Sequence, residues 1–206
     1  MRSRVLHTVI GLTLLFPFLG WVVTGFIFFI KPGYAQAYES LQPKTYPLNG
    51  EMPIKADPSW LEVRCLRTVL GDHLLARTDR GWQHIDPHTM RVRDEPGEEE
   101  IRSLVTDACS MNPERYGQVE RIAGKTIYTN TGIRISLDWN RMSFQQRGPD
   151  TDRIDWLYRI HYLQWTGMTA IDRVLGPLGL ILVMALSMLG VRLAISSMKR
   201  IRARPK

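Results

Sequence analysis

The chain has 206 residues, a formal net charge of +7, 44% apolar side chains and a mean hydropathy of −0.16. Residues 31–170 sum to −1, so the positive excess of +8 sits in the two ends; no basic stripe interleaves with aromatics, which excludes a nucleic-acid surface. The mean hydropathy is too polar for a polytopic transporter and suits two apolar segments attached to a polar domain.

In chain order, residues 1–4 carry Arg2 and Arg4, and Val5 to Ile30 then holds no Asp, Glu, Lys or Arg. A helix crossing a hydrocarbon core of about 30 Å needs about 20 such residues. Ala35-Gln36-Ala37 resembles a signal-peptide cleavage site. The apolar run is far longer than the usual 7–15 residues of a signal peptide, so residues 5–30 are expected to be a retained transmembrane helix. Pro17, Gly20 and Gly25 within it allow a kink and the close approach of a neighbouring helix.

Residues 31–59 read as a short helix near Tyr34 to Leu41 and an extended, proline-rich linker. From residue 60 to 150 the pattern is that of a small α+β domain built on one antiparallel sheet and one helix. Leu61 to Arg67 alternates apolar and polar; His73–Thr78 and Gly81–Ile85 flank a hairpin turn; Asp86-Pro87 opens a turn into Met90–Val92. Glu98, Glu99 and Glu100 precede Ile101, Leu104, Val105 and Ala108 at helical spacing, the acids favourable in a first turn. Strands are expected at Val119–Ile122, Lys125–Tyr128, Ile133–Trp139 and Met142–Gln145.

Over 152–173, Asp155, Arg159, Tyr162, Thr166, Thr169 and Arg173 recur every three or four residues as a polar stripe. The expectation is one amphipathic helix lying in the membrane interface, with Trp156, Tyr158, Tyr162 and Trp165 in the aromatic belt; packing on the soluble domain is the alternative. Residues 174–196 form the second expected transmembrane helix, and 197–206 a basic tail with Lys199, Arg200, Arg202, Arg204 and Lys206. Basic flanks favour the cytoplasm, so both termini are expected inside and the domain outside.

Cys65 and Cys109 both fall in that exported region, where a disulfide closing about 44 residues would contribute about 3–4 kcal/mol. Two buried free thiols are the alternative. No metal site is expected: His84 and His88 are separated by Pro87 and a turn, and Glu98–Glu100 reads as a solvated helix start. Asp150, Asp152 and Asp155 read as turn and cap residues, and no catalytic motif is present.

Leu6-His7, Gly11-Leu12 and Thr24-Gly25, then His161-Tyr162, Thr166-Gly167, Gly176 and Gly179-Leu180, resemble the transmembrane segments of PepSY-associated membrane proteins. Thr131-Gly132-Ile133 and Asp86-Pro87-His88-Thr89-Met90 stand where a PepSY domain places its turns. The resemblance implies a bacterial inner-membrane protein with a periplasmic PepSY-like domain. Its expected role is a non-enzymatic accessory or regulator with a protein partner, without a cofactor. Larger relatives bind haem b through transmembrane histidines and reduce iron-siderophores, and PepSY domains have been proposed to restrain peptidases. The haem alternative would use His7 and His161. With His161 expected up to about 20 Å outside the bilayer and His7 at the opposite face, one haem could not bridge them within a chain. Two copies of either histidine could meet in a dimer, and a structural or interfacial role is the simpler reading of both.

Overall fold

The computed structural model describes residues 2–50, 54–55 and 57–202, so Arg204 and Lys206 of the basic tail lie outside the described residues. It comprises two units, residues 33–152 and a helical unit of 1–32 with 153–206.

Two antiparallel meanders and one long helix make the first unit. Strands β1 (Glu62–Thr68), β2 (Gly71–Thr78) and β3 (Gly81–Ile85) form one sheet; β4 (Val119–Ala123), β5 (Thr126–Thr129), β6 (Arg134–Asp138) and β7 (Ser143–Arg147) form another. One sheet was expected. The physical reason for two is that the outer edge of β3 is already occupied: Arg93 N–H donates to the His84 carbonyl and Asp86 N–H to the Arg91 carbonyl, both at 2.8 Å. With that edge capped by residues 91–93, β4 has no strand to extend and starts a sheet of its own.

Helix α3 (Glu98–Cys109) begins with three acids, and the Glu100 carboxylate accepts the Gly97 N–H at 3.0 Å. Ile101, Leu104, Val105, Ala108 and Cys109 on its buried face pack with Leu75 of the first sheet and Ile127, Ile135 and Leu137 of the second. The short helices α2 (Tyr34–Ala37) and α4 (Pro113–Tyr116) also belong to this unit; α4, which was not expected, starts on Asn112 as cap and Pro113 in its first turn. On the other face of the first sheet a smaller cluster gathers Leu74, Ala76 and Ile85. Residues His73 to Ala76 are therefore buried on both faces of β2.

The expected Cys65–Cys109 bridge is corrected: both thiols are free. Register explains it. Cys65 pairs with Leu74, so it shares the face of the smaller cluster, whereas Cys109 sits on α3 in the main core. The sheet lies between them.

In the helical unit, α1 (Arg2–Ile30) and α6 (Thr169–Arg202) run antiparallel: His7 lies against Gly190, Gly11 against Leu186 and Trp21 against Gly179. Both are long and apolar enough to cross a membrane. The single amphipathic helix expected over 152–173 is also corrected. Helix α5 spans Pro149–His161, and the chain then turns through Leu163 and Gly167, whose φ angles are +58° and +73°, before α6 begins. A backbone in the left-handed region cannot continue a right-handed helix.

Candidate functional site

The turn after α5 is the place where three helices meet. Trp21 and Thr24 lie three residues apart on α1, hence on one face. The Thr24 hydroxyl donates to the Gly20 carbonyl at 2.6 Å, the usual bond of a threonine back onto its own helix. Its single proton is thereby used, so the 2.9 Å contact with His161 Nδ1 is a bond that His161 donates. In the neutral ring His161 is thus the Nδ1–H tautomer, with the lone pair on Nε2. The Phe28 ring meets the His161 ring edge-on at 5.2 Å and stacks on Tyr158 at 4.6 Å, which locks the imidazole plane.

The C-terminal end of α5 is capped by protein donors. An α-helix leaves its last four carbonyls unpaired, and in an apolar setting each must find a donor. Tyr158 and Arg159 accept from the N–H groups of Tyr162 and Gln164. Ile160 accepts from Leu163 N–H and from the Trp165 indole at 3.1 Å, and His161 accepts from the Trp21 indole at 2.6 Å. Two tryptophans, one on α1 and one in the turn itself, thus close the helix end.

The turn seats itself on α6 through glycine. The Tyr162 carbonyl lies over Gly176, and Leu163 fills the hollow at Gly179, where a Cβ would come within 2.7 Å of Leu163 Cδ1. Beside this contact opens a cleft of about 420 Å³ lined by His161, Tyr162, Leu163, Trp21, Pro177 and Leu180. His161 is the histidine in its lining. The distance of up to about 20 Å outside the bilayer assumed one continuous helix; with α5 ending at His161, the ring lies level with Thr24, about 9 Å along α1 from Ile30. Of the aromatics expected at the interface, Tyr158 is half-buried against Phe28, whereas Trp156, Tyr162 and Trp165 are exposed.

His7 is elsewhere. It packs against Gly190 near the start of α1, and its buried Nδ1 has no hydrogen-bond partner among the described residues. Seventeen residues of helix, about 25 Å, separate it from the level of Thr24 and His161. The two histidines of one chain do not fit a common haem.

A second cluster, missed in the sequence, lies in the strand domain. His73 Nδ1 and His84 Nε2 are 2.8 Å apart, both residues at 0% exposure, and His73 Nε2 is 2.7 Å from the Thr68 hydroxyl. Trp139 packs against both rings, and the Arg93 guanidinium lies over its indole while approaching His73 Nδ1 at 3.3 Å. Burial pushes the His73 imidazole down to about 3, with His84 and Arg93 adding to the effect. Burial also takes His84 to about 4, reinforced by Arg93 and partly offset by the Trp139 carbonyl and Asp86. Both rings are neutral at pH 7. The signal for the pair was the two-residue turn at Asp79-Arg80: it pairs Thr78 with Gly81 and Leu75 with His84, and so puts His73 and His84 diagonally on one face.

His88 is exposed in the turn after β3, away from His84. Asp150 pairs with Arg115 at 2.6 Å and Asp152 with Arg134 at 2.7 Å. No three His, Cys, Asp or Glu side chains converge as metal ligands among the described residues. Comparison of the chain with protein-family models, with curated proteins and with solved structures finds no match.

Proposed function

We propose that this chain is a non-enzymatic accessory or regulatory protein of a bacterial inner membrane. In this reading α1 and α6 cross the bilayer with both termini in the cytoplasm, and residues 33–152 present a PepSY-like domain to a protein partner in the periplasm or the membrane. The antiparallel pairing of α1 and α6 is the observation that carries it. Their outward side chains are left uncovered, with Leu12 72%, Phe16 75% and Leu180 65% exposed, a surface that acyl chains would cover. The same pairing brings the basic start of α1 and the basic end of α6 to one side, as the positive-inside rule requires. The test is a pair of fusions: alkaline phosphatase inserted after Asn140 is active, and the same enzyme after Arg202 is inactive. Activity at Arg202 refutes the orientation. Cross-linking in cells followed by mass spectrometry then identifies the partner.

The haem alternative keeps one supporting observation, the lone pair on His161 Nε2 beside the cleft. Since His7 is too far to be the second axial ligand, a b-type haem would need one histidine from each of two chains. A stoichiometric Soret band in the purified protein, lost in His161→Ala, would establish it; its absence removes it.

A further inference from the structure

One polar atom in the helical unit has a role that neither the anchor nor the caps use. The Nδ1–H of His161 is given to Thr24, so Nε2 is a pure acceptor on a residue that lines the 420 Å³ cleft. Trp21, Tyr162, Pro177 and Leu180 also line it. They offer flat, apolar surface, and lie level with the apolar interior of α1 and α6.

These features specify an occupant. It must dissolve in the bilayer, because the cleft opens among apolar helices. It must bring a hydrogen-bond donor, because Nε2 of the neutral Nδ1–H tautomer is an acceptor; a bare carbonyl would leave two acceptors facing each other. Its head must be flat, because the indole, the phenol ring and the proline favour a ring over a branched or flexible head. We propose that the cleft binds a lipid-soluble hydroxylated ring of the quinol class. The ring hydroxyl donates to His161 Nε2, and the tail leaves along the exposed face of α6. Binding alone is proposed, and no electron transfer is involved. The inference rests on the reading of α1 and α6 as membrane spans.

The test uses the full chain in lipid nanodiscs, titrated without oxygen with decylubiquinol and, separately, with decylubiquinone. The reduced form should bind about tenfold more tightly, the value of one satisfied against one frustrated hydrogen bond. His161→Phe should lose that advantage, and His161→Gln serves as a second variant if the first does not fold. Thr24→Val should narrow the ratio, since Nδ1–H loses its partner and either tautomer can then face the cleft. A purely structural role for His161 would not move the ratio. Equal affinity for the two forms, an unchanged ratio in His161→Phe, or tighter binding of dodecanoate than of the quinol overturns the proposal. Release of the chain from membranes by alkaline carbonate would instead refute the anchor itself; failure to bind in a carbonate-resistant chain refutes only the ligand.

Discussion

His73 and His84 face each other across 2.8 Å on adjacent strands, at positions with no solvent contact. One N–H serves both rings, so a second proton would set two donors face to face, with Arg93 beside them. Both folded-state values lie below the ordinary 6.5, so the unfolded chain binds protons first as pH falls. The stabilisation is full above about pH 6.5 and is lost progressively toward pH 3. Denaturation of the reconstituted protein, followed by near-ultraviolet circular dichroism, should show stability falling between pH 6.5 and 5, above the range in which ordinary carboxylates titrate. His84→Leu should flatten that slope. An unchanged slope would show that the pair does not set it.

Arg115 and Asp150 give a contrast between buried and exposed ion pairs. The Arg115 side chain is only 8% exposed, with Asp150 at 2.6 Å. Asp150→Ala should cost about 2–3 kcal/mol, since it leaves the buried guanidinium only the longer 3.9 Å contact with Glu39. Glu95→Ala, which removes the exposed partner of Lys125, should cost less than about 1 kcal/mol. Urea titrations of the two variants give the comparison; equal costs would contradict the burial of Arg115.

The thiols should differ in rate. Burial pushes Cys109 up to about 11 and raises Cys65 as well, though Cys65 is less deeply buried. An uncharged alkylating probe should label Cys65 first in the folded protein, and both residues in denaturant without prior reduction. Failure to label after unfolding would reveal a bridge.

The indole caps should matter in proportion to the apolarity around them. Trp21→Phe removes the donor to the His161 carbonyl and should cost about 1–3 kcal/mol. Hydrogen exchange at Tyr162 and Gln164 is the local readout, and it should rise in this variant. Trp156→Phe, on an exposed residue, should leave the same amides unchanged.

The strands were legible where one face is buried, so alternation survives in β6 and β7 as it does in any half-covered sheet. Their grouping was not legible, because the division into two sheets depends on the bonds of Arg91 and Arg93 to the edge of β3, which no local pattern encodes. The polar stripe from Asp155 to Arg173 gave the wrong helix for a related reason. Periodicity continues through Leu163 and Gly167, and only the backbone there stops. In the candidate site, His161 was visible, but its depth was not. Extrapolating one straight helix placed it above the membrane, whereas the turn folds it back beside Thr24. Cys65 shows the same limit: alternation gives its face, but not which face α3 covers.

Trp21 precedes the carbonyl it caps by 140 residues. If α1 and α6 are the membrane spans proposed above, α1 is made long before α5 exists, and its indole N–H then has no α5 carbonyl to meet. The end of α5 is thus completed by a side chain of α1, a helix made 140 residues earlier. Until α5 has docked, α1 keeps an open polar position at Trp21, so the pairing of these helices is complete only when both ends of the chain have been made.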